Sequence, residues 1–241
     1  MTDDTFPDDG PEPDRHAARS ALYGALAAVF VYPDEETVAD LTAADAAEGV
    51  LEAAETLGCR DEASQFLDAL AGTDVADLES SYNDLFGIPG GDGSYAVVPY
   101  EAEYTVGDDV SLAQRRIATV AGLLDAFDLE RSPDFAERHD HLALELELMQ
   151  LLSAQRAASL AADADDRAGD LERIEATLLE HHLGDFLPSL AHDLRETTED
   201  EVYLAAADLG EKLVTADLAA HPPSDVAVDG ELTAPPGVSA R

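Results

Sequence analysis

Residues 139–152 read HDHLALELELMQLL and hold histidines and carboxylates at spacings that could do chemistry. If this stretch is helical, Glu137, His141 and Glu145 project from about the same face, because residues four apart are neighbours on a helix surface. Two carboxylates and an imidazole can together bind a divalent metal. Asp140 and His141 could instead accept hydrogen bonds from the arginine side chains of a bound partner. The stretch therefore allows either a metal site at Glu137, His141 and Glu145 or a site at Asp140 and His141 that binds a partner.

Established metal and catalytic patterns are absent from the rest of the sequence. The pattern H-E-x-x-H does not occur, no histidine has the preceding glutamate of the di-iron pattern Glu-x-x-His, and no G-x-S-x-G is present. The run GIPGGDG lacks the lysine of a phosphate-binding loop, since Lys212 is the only lysine. Cys59 is the only cysteine, which excludes an intrachain disulfide. His181 and His182 are adjacent and point about 100° apart on a helix, so they are poorly placed to hold one ion together. These patterns predict a protein that is not an enzyme and has no metal or other cofactor, with the metal site as the alternative.

The charge of the chain is extreme. It has 53 acidic and 13 basic residues, a formal net charge of −40, and the acids are spread over nearly every segment. Such a surface is typical of proteins that stay soluble in concentrated salt. The composition therefore predicts a halophilic source, and at molar salt the Debye length of about 3 Å screens most of this charge. It also argues against nucleic acid as a partner.

Helical periodicity repeats along the chain and predicts an all-α fold, a single-domain helical bundle over residues 14–220. Residues 1–13 and 221–241 are polar and proline-rich, which predicts disordered tails. The first helix should stop before Pro33, and Asp34 should cap the next one. The further predicted helices cover about 44–57, 61–71, 74–86, 110–128 and 134–162, then a run over 170–218 that divides at Gly184, with Pro188 in the first turn that follows.

Two kinds of targeting segment are missing from the sequence. No stretch approaches the ~20 apolar residues of a membrane span. The N-terminus MTDDTFPDDGPEPD lacks the basic and apolar regions of a secretory signal. We therefore expect a cytoplasmic protein without a membrane span.

One long loop interrupts the helices at residues 87–107, GIPGGDGSYAVVPYEAEYTVG. Long loops inside compact domains are often functional. Tyr82 and Phe86 precede the loop on one helix face, and Pro99, Tyr100 and Tyr104 lie within it or at its end. Tyrosines among proline and glycine form a good surface for an extended peptide, because each ring offers a large contact area at low entropic cost. The alternative is that the loop packs back onto the bundle.

Two of these segments resemble the TorD/DmsD family. The run SYNDLFGIPGGDGSYAVVPYEAEYT is similar to the family segment Y-x-x-L-F … P-Y-E-S-x-Y, and DHLALEL at 140–146 is similar to its D-H-L-x-x-E-L run. The opening RSALYGALAAVFVYPDEET and the closing LLEHHLGDFLPSLAHDLRETTEDEVYLAAADLGEKL also resemble the family, so that the likeness covers about 15–218.

The resemblance implies an all-helical cytoplasmic chaperone. Such a protein binds the twin-arginine leader and the apo form of a molybdopterin oxidoreductase catalytic subunit until the cofactor is inserted. A client of the sulfoxide or N-oxide reductase type is expected, with a nitrate reductase as the alternative, and the chaperone would be a monomer or a homodimer.

The resemblance also implies a set of site residues. Asp140 and His141 match the leader-binding pair of the family, and Tyr82 and Phe86 match aromatic positions of the same groove. The chain departs from the family at Ala102, where the family has serine, and in having no tryptophan. The predicted peptide-binding residues are Tyr82, Phe86, Pro99, Tyr100, Glu101, Tyr104, Asp140, His141, Leu142 and Glu145.

Overall fold

The computed structural model of the chain describes residues 12–87, 95–107, 109–129, 132 and 135–221. Within these ranges the regular structure is helical, and the one extended pairing is an isolated antiparallel bridge between Tyr100 and His141. The predicted all-α class is confirmed. The predicted tails, residues 1–13 and 221–241, lie almost entirely outside the described residues. The exceptions are Glu12 and Pro13, which belong to the first helix, and His221.

The helices follow one another in a simple order and are joined mostly by short turns. They are α1 (Glu12–Val29), α2 (Glu35–Thr42), α3 (Ala44–Thr56), α4 (Arg60–Ala71), α5 (Val75–Phe86), α6 (Ala102–Thr105), α7 (Val110–Ala126), α8 (Leu142–Ala161), α9 (Asp165–Leu178), a π turn (Leu179–Leu183), α10 (Gly184–Thr197) and α11 (Glu201–Ala220). The predicted cap of α2 is confirmed, because the Asp34 carboxylate accepts a hydrogen bond from the Thr37 N–H at 2.9 Å.

The core is built around α1 and α8, which make the most extensive helix–helix contact. Leu22 and Leu26 of α1 and Leu146 of α8 are completely buried. The contact is close at Gly24, where a β-carbon would lie 2.7 Å from the side chain of Gln150. Because α8 also packs on α9, it is apolar on most of its circumference, and burial of that surface is the main force that assembles the bundle.

A buried ionic network joins α1, α8, α9 and α11. Arg19 lies 2.8 Å from Asp217 and 3.0 Å from Glu175, and Arg156 lies 2.8 Å from Glu175. The Tyr23 hydroxyl donates to Asp217 at 2.6 Å. Burial by itself raises the pKa of Glu175, but Arg19 and its other cationic neighbours outweigh burial and hold that pKa far below its ordinary value. The network therefore requires these four helices to meet in one arrangement, since separating them would leave buried charges unpaired.

Helix α8 begins at Leu142, so the predicted helix over 134–162 was wrong at its start. The backbone just before Leu142 pairs with the preceding loop instead of continuing the helix. The Glu101 N–H donates to the carbonyl of Asp140 at 2.9 Å, and the Leu142 N–H donates to the carbonyl of Pro99 at 2.9 Å. Helical periodicity could not reveal this, because the competing partner lies some forty residues away in sequence.

The chain does not leave the helical conformation at Gly184, where a break was predicted. Helix α9 continues through the π turn into α10, and the Gly184 N–H donates to the carbonyl of Leu179, five residues back. Pro188 is the fifth residue of α10 rather than part of its first turn. A glycine is needed at the junction because a β-carbon on residue 184 would lie 2.6 Å from that same carbonyl oxygen.

Candidate peptide-binding site

The described end of the long loop lies against the start of α8. The bridge between Tyr100 and His141 and the two backbone hydrogen bonds of Glu101 and Leu142 hold the segments side by side. Tyr100 is buried, and its hydroxyl donates to Glu137. Over residues 95–107, therefore, the loop packs back onto the bundle, and the two motifs of the sequence meet in one place.

Asp140 is completely buried and is already paired with an arginine of its own chain. Its carboxylate accepts hydrogen bonds from Arg138 at 2.6 and 2.9 Å and from the Ala102 N–H at 3.2 Å. The guanidinium of Arg138 also stacks over the Tyr100 ring, 4.6 Å from its centroid, and donates to Glu103 at 3.0 Å. An arginine from another molecule would have to displace Arg138 in order to reach Asp140.

His141 is buried and caps α8. Its Nδ1 accepts a hydrogen bond from the Ala143 N–H at 3.2 Å, which assigns the proton of the neutral ring to Nε2. The ring stands edge-on to Tyr100 and Phe135, with centroids 5.6 and 5.3 Å away. Burial lowers the pKa of His141 to about 4, so the ring is neutral near pH 7. Leu142, the next predicted site residue, is completely buried in the core.

Glu145 belongs to a buried cluster that spacing did not predict. Glu101, Glu145 and His182 each place one nitrogen or carboxylate oxygen within 4.8 Å of those of the other two. His182 Nδ1 lies 3.5 Å from Glu101, and Arg116 lies 3.8 Å from the other oxygen of that carboxylate. Burial and the nearby charges of Glu101 and Asp140 raise the pKa of Glu145 well above its ordinary value.

The ionisation of Glu101 differs from that of Glu145. Burial raises the pKa of Glu101, but the nearby His182, the hydrogen bond from Thr105 and the charge of Arg116 together outweigh burial and lower that pKa. The pKa values of two adjacent carboxyl groups are thus shifted in opposite directions, because favourable neighbours outweigh burial at Glu101, whereas burial and the charges of Glu101 and Asp140 dominate at Glu145.

The metal set suggested by helical spacing does not form. Glu137 precedes α8 and His141 is its cap, so neither lies on a helical face with Glu145. In the sequence, the histidine pair at 181 and 182 was the feature that could have indicated the cluster of Glu101, Glu145 and His182. Of the two, His182 is buried while His181 is partly exposed.

Tyr82 and Phe86 are core residues. They pack on each other at 5.3 Å and are more than nine-tenths buried, and Phe86 lies 5.4 Å from the Tyr203 ring. The exposed aromatic residue here is Tyr32, which stands edge-on to Tyr82 at 5.4 Å and is half exposed. Tyr104, another predicted residue, packs on Phe186 instead, with ring centroids 5.5 Å apart.

An apolar cavity of about 390 Å³ opens beside the first turns of α8. It lies next to His141, since Phe135 contacts the His141 ring and also lines the cavity. Among the described lining residues Glu147 is the acidic one, and burial raises the pKa of its carboxyl group. The apolar lining includes Val31, Tyr32, Leu124, Phe135, Leu144 and Leu148. None of the predicted peptide-binding residues lines this cavity, because its lining is collected from segments that are far apart in the sequence.

The fold and this site define a class of protein, an all-helical protein with a concave apolar surface beside the start of a buried helix. The family model of the nitrate reductase delta subunit matches residues 52–192, more than half of the chain. The chain belongs to this family, whose members are assembly chaperones of molybdoenzymes. The match includes the described part of the loop, the start of α8 and the π turn. No curated protein matches the chain significantly.

Among the described helices, none is both long and apolar enough to cross a membrane.

Proposed function

We propose that this protein is a cytoplasmic assembly chaperone that binds the leader peptide and the apo form of a molybdopterin oxidoreductase catalytic subunit until cofactor insertion. The observation that carries the proposal is the apolar cavity beside the His141 cap, in a chain of the nitrate reductase delta subunit family. The family description favours a nitrate reductase as client. A sulfoxide or N-oxide reductase is the second candidate, because the loop and helix motifs resemble the TorD/DmsD family.

The apolar segment of the leader would bind in the cavity. The apolar surface there includes Tyr32, Leu144 and Leu148. Because the Tyr32 ring is already half exposed, it can contact a bound segment without any core residue being displaced. Leader arginines would meet carboxylates at the edge. Glu147 lines the cavity itself, and Glu103 is more than half exposed. Arginine binds carboxylates well through two parallel hydrogen bonds.

Asp140 and His141 would act mainly by positioning. Asp140 holds Arg138 and the backbone of Ala102, and His141 caps the helix that carries Leu144. Their removal should loosen the loop and the first turn of α8, and so weaken leader binding indirectly. Direct contact with a leader arginine would require Arg138 to turn away first.

The test compares leader binding by two variants with alanine at an exposed apolar position. Tyr32→Ala removes a ring from the cavity, whereas Val110→Ala removes apolar surface from the exposed start of α7. Binding of a synthetic leader peptide to the full chain is measured calorimetrically in molar potassium chloride. We expect Tyr32→Ala to weaken binding about tenfold or more, since a buried aromatic side chain contributes about 1.5–3 kcal/mol. Val110→Ala should stay within about twofold of the wild type.

Affinity purification from native extract identifies the client. A molybdopterin oxidoreductase subunit with its leader intact should co-purify while that enzyme is being expressed. Equal leader binding by the two alanine variants would contradict the cavity as the binding site. Co-purification of partners without such a leader would contradict the proposed function.

A further inference from the structure

The Glu101–Glu145–His182 cluster brings together three separate elements. Glu101 lies between the long loop and α6, Glu145 in the first turn of α8, and His182 in the π turn. The two glutamates are completely buried, and His182 is only 2% exposed. Charged groups are seldom buried to this extent unless they are paired or coordinate a metal.

The atoms that face one another in this cluster lack hydrogen-bond partners. Both carboxylate oxygens of Glu145, one oxygen of Glu101 and Nδ1 of His182 have none among the described residues. Leaving a buried polar group unpaired costs about 1–3 kcal/mol. Carboxylate oxygens and a neutral imidazole nitrogen all offer lone pairs, so the group that would satisfy all of them together is a cation.

Among the described residues, no side chain supplies that cation to the unpartnered atoms. The guanidinium of Arg116 approaches the other oxygen of Glu101 at 3.8 Å and donates to the carbonyl of His181. It makes no hydrogen bond to the unpartnered atoms of the cluster. The nearby Arg138 is likewise committed to Asp140 and Glu103.

The ligand set selects the kind of ion. Calcium and magnesium prefer sites built from oxygen ligands, whereas imidazole suits zinc and other first-row transition metals. Zinc binds histidine nitrogen and carboxylate oxygen at about 2.0–2.2 Å. The three donor atoms lie within 4.8 Å of one another, so small side-chain shifts bring them to one centre.

We propose that Glu101, Glu145 and His182 bind one divalent transition-metal ion of the zinc type, which fastens the loop and the π turn to the start of α8. The π turn supports this assignment, because it carries His182 to the cluster and such turns are found frequently at functional sites. The ion site is argued from this cluster alone and does not rest on the chaperone function proposed above.

The test measures zinc bound by the full-length, untagged protein. After treatment with a chelator, the protein is titrated with zinc in molar potassium chloride, in competition with a chromophoric chelator. We expect one tight zinc ion per chain in the wild type. Glu145→Gln and His182→Gln should each weaken it at least tenfold, since each removes one of three ligands. The matched controls are His192→Gln, an exposed histidine on α10, and Glu137→Gln, a glutamate outside the cluster. Both controls should bind zinc as the wild type does.

A second measurement does not depend on the variants being stable. Cobalt(II) added to the metal-free wild type should give visible d–d absorption bands, and addition of zinc should remove them. The proposal is overturned if the wild type binds no stoichiometric zinc and gives no cobalt bands. It is also overturned if the cluster variants, folded by circular dichroism, bind zinc as tightly as the controls.

Discussion

Replacing Asp140 by asparagine tests whether this residue supports the site by positioning it. The carboxylate accepts two hydrogen bonds from Arg138 and one from the Ala102 N–H. Asparagine keeps the size of the side chain and one oxygen acceptor, but it loses the charge and the paired contact with the guanidinium. Hydrogen bonds to charged groups contribute about 1.5–3 kcal/mol each. Truncating one partner of a fully buried ion pair costs about 3–5 kcal/mol.

The loss of unfolding free energy expected for Asp140→Asn is smaller than the roughly 3–5 kcal/mol of a fully buried ion pair. The Arg138 side chain is 37% exposed and keeps its contact with Glu103, so water and a second carboxylate compensate part of the lost charge. We therefore expect Asp140→Asn to lower the free energy of unfolding by about 2 kcal/mol. Urea denaturation in molar potassium chloride, followed by circular dichroism, measures this difference.

The matched control is Glu103→Gln, which removes the charge of the other partner of Arg138. Glu103 is 55% exposed, and exposed ion pairs contribute about 0–1 kcal/mol. Glu103→Gln should therefore lower the free energy of unfolding by less than half as much as Asp140→Asn does. If the two variants lose the same stability, Asp140 is not the anchor of this loop, and the argument from burial fails. Leader affinity should fall in Asp140→Asn, because the loop and the first turn of α8 lose the contact that holds them in place.

Two further predictions concern the bundle. Gly184→Ala should lower the free energy of unfolding by about 2 kcal/mol or more, since its β-carbon would lie 2.6 Å from the Leu179 carbonyl oxygen. Gly122→Ala on α7 meets no atom within 4 Å and should stabilise the protein by about 0.5–1 kcal/mol; equal effects in urea denaturation would contradict the close approach at residue 184. Stability should also fall in acid. Burial and Arg19 lower the pKa of His16 to about 3, so the stability that the neutral ring contributes is present above its ordinary value of 6.5 and is lost as the pH falls from there toward 3. The depressed pKa of Glu175 acts in the same direction below 4.5, and a thermal midpoint that did not fall between pH 7 and about pH 3 would contradict both assignments.

Most helices could be predicted because their signals are local. Leu22 and Leu26 mark the buried face of α1 at helical spacing, and Asp34 caps α2 as its sequence position suggested. The start of α8 could not be predicted in this way. Its last non-helical residues pair with Pro99 and Glu101, and such pairing competes with a helix without changing the local periodicity.

The peptide-binding role of the ten residues stays a prediction, but the sequence did locate two segments that meet in the structure. The motifs around Tyr100 and Asp140 indicated two segments of interest, and the structure brings them into contact. The partner of Asp140, however, is Arg138, two residues before it in the sequence. Charge alone could not reveal this pairing, because the sequence does not show whether a side chain points into the core or into solvent.

By itself, the sequence determined the all-α class, most helix positions and the broad chaperone family that the two motifs resemble. Periodicity, helix caps and motifs are all encoded by residues close to one another in the sequence. Only the tertiary structure decided which groups are buried together. The cavity beside α8 collects side chains from separate helices, and the cluster of Glu101, Glu145 and His182 joins residues up to 81 positions apart. The pKa values also depend on the tertiary structure: burial and the charges of Glu101 and Asp140 raise the pKa of Glu145, whereas the neighbours of Glu101 outweigh its burial and lower its pKa.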